Sequence, residues 1–116
     1  MANKEALSLL KTQNINEFNK WVKQRRKKGK KALDLDDQNL SGLKLHQADL
    51  RDAHLNGTNL RKTNLKGANL KRARLRQADL RGANLKEADL TEADLRRSKQ
   101  KGAVFKNSIL KKTKGI

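Results

Sequence analysis

The 116-residue sequence predicts an all-β solenoid, a tube of short stacked coils. Three observations support this fold class. A large apolar residue recurs every five residues, a small residue usually precedes it by two positions, and each repeat glycine follows it by two positions. The repeat reads A-D/N-L-x-x over residues 32–112, and leucine occupies every fifth position over Leu35–Leu95. After Gln100, the same phase resumes with Phe105 and Leu110.

A five-residue period fits neither of the two regular secondary structures. On an α-helix, a step of five residues turns each leucine by about 140° from the last, so the leucines would scatter around the cylinder. On an uninterrupted strand, an odd step sends successive leucines to opposite faces. The pattern is satisfied when three residues are extended, with the first and third pointing inward, and two residues turn a corner. We therefore expect a turn in every repeat.

The glycines mark the predicted turn. They lie where a tight turn needs a positive φ, which glycine adopts without steric cost: Gly42, Gly57, Gly67, Gly82 and Gly102. Layers of leucine and alanine would fill a narrow interior, and each coil could bury its apolar residues only with the help of its neighbours. The repeats therefore predict coils stacked about 4.8 Å apart.

These repeats resemble those of the pentapeptide-repeat protein family. The resemblance is carried by A-D-L-R-D at 48–52, A-N-L-K-R at 68–72, A-D-L-R-G at 78–82 and A-N-L-K-E at 83–87. It implies a right-handed quadrilateral β-helix with four repeats per coil and about four coils. The family's best-known activity, inhibition or protection of DNA gyrase by mimicry of duplex DNA, requires a negative surface. We therefore do not expect that role in a basic chain.

Residues 1–31 do not repeat and predict an N-terminal helical cap that ends in a basic run. Asn3 is a candidate N-cap for a first helix, and Asn14 or Asn16 for a second. One face of the second helix would be apolar, with Phe18, Trp21 and Val22. This face would cover the first coil, because an open solenoid end exposes backbone groups and apolar interior. The alternative is a groove that binds a partner.

The chain divides into three predicted parts, the cap over 1–31, the repeat β-helix over 32–112 and a short C-terminal tail over 113–116. In the last coil, Val104 and Ile109 take an outward position that elsewhere holds Asp or Asn. Exposed apolar residues there suggest an association surface. A homodimer formed through the C-terminal coil is one expectation, and a tail folded over that coil is the other.

The charge of the chain is strongly positive, with a formal net charge of +17 at pH 7. With four repeats per coil, residues twenty apart stack. The position that follows each large apolar residue, the centre of its repeat, then forms an outward column. Two adjacent columns are mostly cationic: Ser41, Arg61, Arg81 and Lys101, then His46, Lys66, Lys86 and Lys106. The side that begins with Asp36 sums to near zero, since its aspartates balance four arginines.

These charges predict a non-enzymatic docking module for a polyanion, namely DNA, RNA or a ribonucleoprotein, with little sequence preference and strong salt dependence. The candidate contacts are Arg25, Arg26, Lys27, Lys28, Arg61, Arg81, Lys101, Lys66, Lys86 and Lys106. No aromatic residues interleave with them, so base stacking is not expected. One alternative is a scaffold or immunity-type protein that recognises an acidic partner. Another is a consensus-like or engineered repeat whose charges only maintain solubility.

Other function classes find little support in the residues. The chain has no cysteine, and its two histidines, His46 and His54, fall at predicted outward positions. We expect no metal and no cofactor. A filled tube has no cleft in which to position catalytic groups, so we expect no enzyme. No stretch is long and apolar enough to span a membrane or resembles a signal peptide, which favours a cytoplasmic protein.

Overall fold

The computed structural model describes residues 2–116, and it places two helices before a tube of stacked repeats. Helix α1 spans Lys4–Lys11 and helix α2 spans Ile15–Lys27. Strands β1 (Leu33–Asp34) and β2 (Ala53–His54) pair in parallel. The other rungs are single-residue parallel bridges, because the turn in every repeat interrupts the ladder.

Every parallel pair in the tube joins residues that are twenty positions apart. One such column runs through Asn39, Asn59, Asp79 and Lys99. This register confirms the predicted stacking of residues twenty apart. Since twenty residues hold four repeats, each coil presents four sides.

Each repeat contains a turn with one left-handed residue. The Ala68 N–H donates to the Leu65 carbonyl (3.0 Å), and Gly67 between them has a φ of +66°. The equivalent position is left-handed in every repeat, including those without glycine: Asp37, Gln47, Asp52, Lys62, Arg72, Gln77, Glu87, Glu92, Arg97, Asn107 and Lys112. The glycine signal therefore located the turn correctly. Contacts between coils hold the other residues in a conformation that costs roughly 1–2 kcal/mol.

The interior of the tube is filled as the repeat predicts. The centres over Leu35–Leu95 are at most 1% exposed, and the alanines two positions before them are buried as well. Thr58 and Thr63 take alanine positions and are also fully buried. Their hydroxyls donate to the backbone carbonyls of Leu55 and Leu40, which offsets the cost of burying a polar group.

The packing loosens in the last coil. Gln100, the polar centre, is half-buried, and its amide donates to the Ser98 hydroxyl (2.8 Å). Val104 and Ile109 are 39% and 50% exposed, in agreement with their predicted outward positions. Homodimer formation through this coil stays a prediction.

The helices begin at the predicted caps. Asn3 caps α1, and Asn14 rather than Asn16 caps α2, each accepting the backbone N–H three residues later. Phe18 and Val22 are buried in the same core as the leucines of the tube. Within residues 2–116, neither helix has the length and apolar character needed to cross a lipid bilayer.

Side chains of the cap supply hydrogen bonds that a preceding coil would otherwise supply. Within the tube, most bridging residues donate their N–H groups to a carbonyl of the previous coil. The first coil has no such neighbour. The Lys44 N–H donates instead to Gln13 Oε1 (2.8 Å), and the Asp49 N–H donates to Asn19 Oδ1 (2.8 Å). Asn19 Nδ2 also donates to the Gln47 carbonyl (3.0 Å), so the cap is matched to the backbone of this coil.

Candidate polyanion-binding surface

Each of the four sides of the tube takes its name from the first residue of its outward column. The Asp36, Ser41, His46 and Arg51 sides follow one another around the coil. They comprise the repeats that begin at residues 33, 38, 43 and 48, and the repeats stacked above them at intervals of twenty. The edge shared by the Ser41 and His46 sides therefore lies diagonally across the tube from the edge shared by the Arg51 and Asp36 sides.

Arginines that follow a bridging aspartate are held by it. Arg81 donates from Nε to Asp79 Oδ1 (2.9 Å) and from Nη2 to Asp79 Oδ2 (2.7 Å). The same bidentate pairing joins Arg51 to Asp49 and Arg96 to Asp94. Hydrogen bonds from the guanidinium groups lower the pKa of Asp79 and of Asp94 to about 2. An Asp-Leu-Arg repeat therefore neutralises its own cation.

Lysines that follow a bridging asparagine are not held in this way. Asn64 Oδ1 and Asn84 Oδ1 accept the turn N–H groups of Lys66 and Lys86 (3.0 Å each), but an amide leaves the ammonium charge unbalanced. Lys106 stacks above them. All three lysines are exposed, and none forms a side-chain hydrogen bond or ion pair within residues 2–116. The His46 side therefore carries a column of three unpaired cations.

The Ser41 side contributes fewer free cations than its sequence suggests. Arg81 is held by Asp79, as described above. Arg61 is 53% exposed and approaches Asp79 only at 3.9 Å, between Nε and Oδ2. Lys101 is exposed and has no side-chain partner among the described residues. Arg61 and Lys101 therefore remain available beside the His46 column.

The two arginines of the basic run stabilise the cap. Arg26 Nη1 donates to Asp52 Oδ2 (3.0 Å), and the Arg26 side chain is only 16% exposed. Arg25 Nη2 donates to the Ala32 carbonyl (3.0 Å), and its guanidinium lies 5.0 Å from the ring centroid of Trp21. Arg25 and Arg26 therefore have structural partners in the cap and do not belong to the candidate surface.

The structure does not bring the basic run together with the two cationic columns. Asp52, which binds Arg26, is the last residue of its repeat on the Arg51 side. The end of α2 consequently lies at the edge between the Arg51 and Asp36 sides. Lys27 and Lys28 are exposed and directly follow Arg26, so they lie near that edge rather than near the edge shared by the Ser41 and His46 sides. The ten candidate residues thus belong to two separate regions.

The sequence contains a signal that separates the paired arginines from the unpaired lysines. Aspartate occurs two residues before Arg51, Arg81 and Arg96, whereas asparagine occurs two residues before Lys66 and Lys86. A count of charges per side weights both kinds of repeat equally. The pairing becomes evident only when the bridging residue and the outward residue are known to point to the same side.

Acid should destabilise the tube below about pH 4. The pKa of Asp79 and of Asp94 is about 2 in the folded protein, against about 3.9 for aspartate in an unfolded chain. Because these carboxylates bind protons less readily when folded, their stabilisation is complete above about pH 4 and is lost as the pH falls through about 2. We expect the melting temperature, measured from pH 6 to pH 2, to fall mainly in this window.

A conservative double variant isolates this contribution. Asp79→Asn with Asp94→Asn keeps an oxygen to accept the turn N–H, as Asn64 and Asn84 do, but removes both ion pairs. We expect a shallower fall of the melting temperature in acid. A fall as steep as that of the wild type would show that other carboxylates govern the acid response.

Comparisons with known protein sequences identify the repeat. The family model for pentapeptide repeats, with 8 copies, matches residues 34–67, 58–97 and 68–107. A comparison with curated proteins gave no match.

The chain is also similar to solved structures. A pentapeptide repeat protein from the Arabidopsis thaliana thylakoid lumen is 29% identical, and the match covers 65% of this chain and 59% of that chain with a TM-score of 0.50. HetL, a pentapeptide repeat protein from Nostoc involved in heterocyst differentiation regulation, is 22% identical, with coverage of 71% and 61% and a TM-score of 0.36. A further Nostoc pentapeptide repeat protein is 32% identical, covers 74% of each chain and has a TM-score of 0.30. The matches span about three fifths of the Arabidopsis protein and of HetL.

Proposed function

The chain belongs to the pentapeptide-repeat family, and from this premise we propose that it is a non-enzymatic binding module whose His46 side docks on the phosphate backbone of a nucleic acid. The observation that carries the proposal is the column of Lys66, Lys86 and Lys106. These cations stack on successive coils about 4.8 Å apart and lack an acidic partner. Like charges at this spacing repel one another, and a polyanion laid along the column relieves that repulsion.

The surroundings of the column support the same proposal. Glu87 is the one acidic residue in the four repeats of the His46 side. Arg61 and Lys101 extend the cationic surface around the edge onto the Ser41 side. No aromatic side chain lies in the outward columns of the two sides, so the surface suits contacts to phosphates more than contacts to bases. Binding should therefore tolerate different sequences.

The proposal also includes the handedness and number of the coils, the division of the chain and its cellular location. We take the coils to wind right-handed, as in the family. We take them to number about four, because the bridges extend from Leu33 to Lys114 at twenty residues per coil. The predicted division into a cap over 1–31, a β-helix over 32–112 and a tail over 113–116 is part of the same proposal, as is a cytoplasmic location. The bridge between Asp94 and Lys114 carries the ladder into the tail.

A salt titration tests the proposed function. We expect the protein to bind a labelled DNA duplex and an unrelated RNA with similar affinity. If about five phosphates are contacted, the logarithm of the binding constant for the duplex should fall with the logarithm of salt concentration with a slope of about −4.5. Fluorescence anisotropy between 50 and 200 mM salt measures that slope. Replacing Lys66, Lys86 and Lys106 by glutamine should make the slope shallower by about 3.

A matched variant controls for the change in net charge. Replacing Arg51, Arg72 and Arg96 by glutamine also removes three formal charges, but from arginines that are already paired and lie off the Ser41 and His46 sides. This variant should keep most of the wild-type slope. Equal losses in the two triple variants would contradict the proposal, since binding would then follow net charge alone. Absence of binding to either nucleic acid near 150 mM salt would favour an acidic protein as the partner.

A further inference from the structure

Hydrogen bonding on the Asp36 side departs from the rest of the tube. His54 and Arg74 occupy bridging positions that usually hold Asp or Asn, and they do not accept the turn N–H groups. The coil below does so instead. Asn56 Oδ1 accepts the Arg76 N–H (3.0 Å), and Asp36 Oδ1 accepts the Asn56 N–H (2.8 Å). The turns remain bonded, and the bridging positions are free to carry cationic side chains.

Four arginines line one surface depression beside these turns. It has a volume of about 410 Å³, and its charged lining consists of Arg72, Arg74, Arg76, Arg96, Glu92 and Asp94. Two of the arginines have partners, Arg72 with Asp52 (2.7 Å) and Arg96 with Asp94 (2.7 Å). Arg74 and Arg76 are exposed, and within residues 2–116 their guanidinium groups form no hydrogen bond or ion pair. Two free guanidinium groups thus face one concave space.

The near-zero charge of the Asp36 side conceals this cluster. The acidic residues Asp34, Asp36 and Asp37 belong to the first coil, whereas Arg74 and Arg76 lie two coils further along the tube. Two coils correspond to roughly 10 Å, which is about one Debye length at 0.1 M salt. Salt therefore screens much of the interaction between the aspartates of the first coil and the arginines two coils away. Lys31 lies beside the cluster, in an adjoining depression that Arg72 and Arg74 also line.

We propose that Arg74 and Arg76 form the centre of a binding site for a phosphate dianion, either free phosphate or the phosphate group of a small monoester. Planar guanidinium groups donate paired hydrogen bonds that match phosphate oxygens. Four arginines and the adjoining Lys31 face Glu92, Asp94 and Asp52, the partner of Arg72, so the cluster keeps a net charge of +2. A phosphate dianion balances that charge, whereas a monocarboxylate leaves half of it unbalanced. This site lies away from the His46 side and does not depend on the function proposed above.

Titration with phosphate, followed by NMR of the arginine Nε–H signals, tests the site. Inorganic phosphate and glycerol phosphate are the two probes, each added at constant ionic strength against sodium chloride. We expect saturable shifts at Arg74 and Arg76 at pH 7.5. Binding should weaken at pH 5, where phosphate loses its second charge. Tighter binding of glycerol phosphate would identify a monoester as the ligand, and tighter binding of inorganic phosphate would identify the free ion.

Two variants separate a site from general attraction to a basic protein. Arg74→Gln with Arg76→Gln, followed at the remaining Nε–H signals of Arg72 and Arg96, should weaken phosphate binding about tenfold or more, because both free donors are lost. Arg97→Gln, an exposed change in the same column of repeats outside the depression, should leave it unchanged. The proposal is overturned if chloride gives the same shifts, if the double variant binds as the wild type does, or if the Nε–H signal of Arg61, an exposed arginine on the Ser41 side, shifts equally. The lysine-to-glutamine triple variant on the His46 side should bind phosphate normally.

Discussion

Leu70→Asp is expected to abolish cooperative folding of the tube. Leu70 is fully buried at the centre of its repeat, with leucine and alanine layers around it. An aspartate there would place an unpaired carboxylate among apolar side chains, at a cost of several kcal/mol. A small domain has a total stability of only about 5–15 kcal/mol. Because each coil buries its residues only with the help of its neighbours, the damage should not stay within one repeat.

Thermal unfolding followed by circular dichroism measures this effect. We expect the variant to show no cooperative transition, or one at a much lower temperature than the wild type. Leu110→Asp is the matched control, since Leu110 occupies the same position of its repeat but is 38% exposed. That substitution should change the melting temperature by only a few degrees. A wild-type melt of Leu70→Asp would mean that the leucines at the centres do not form the core.

The core and the register follow from the sequence because they depend on one repeated constraint. A leucine every five residues can be buried only if the chain turns in each repeat, and Leu35 to Leu95 are buried as that constraint requires. The non-glycine turn residues were harder to anticipate. Lys62 and Arg72 adopt a positive φ because stacking of neighbouring coils, which local preference does not describe, outweighs their intrinsic cost.

The candidate surface followed from the sequence only in part, because charge counts do not describe pairing. The outward column of Lys66, Lys86 and Lys106 was predicted from the register alone. The partners of Arg26 and Arg81 were not, since one depends on how α2 crosses the first coil and the other on the side that Asp79 faces. The charge sum of the Asp36 side does not reveal the Arg74 cluster, because it adds acidic and basic residues that belong to different coils.

Phe18→Ala should destabilise the protein by about 3–5 kcal/mol and loosen the first coil before the others. Phe18 is fully buried, and it belongs to the apolar core that joins α2 to the tube. Removing the ring leaves a cavity between cap and coil, which weakens the seating of the helix. Gln13 and Asn19 would then hold the N–H groups of Lys44 and Asp49 less well. Opening should start at this end, because repeat proteins lose order through neighbouring units.

Hydrogen exchange resolves where the protein opens. In the Phe18→Ala variant, the amides of Lys44 and Asp49 should lose more protection than those of Leu80 and Leu85, which donate to carbonyls of a following coil. Phe18→Leu, which keeps most of the apolar volume, should cost less than about 1.5 kcal/mol and preserve the wild-type pattern. If all amides lose protection equally, the cap and the tube unfold as one cooperative unit. If the amides of Lys44 and Asp49 remain protected, the helices do not cover the first coil, and their apolar face would then be available to a partner.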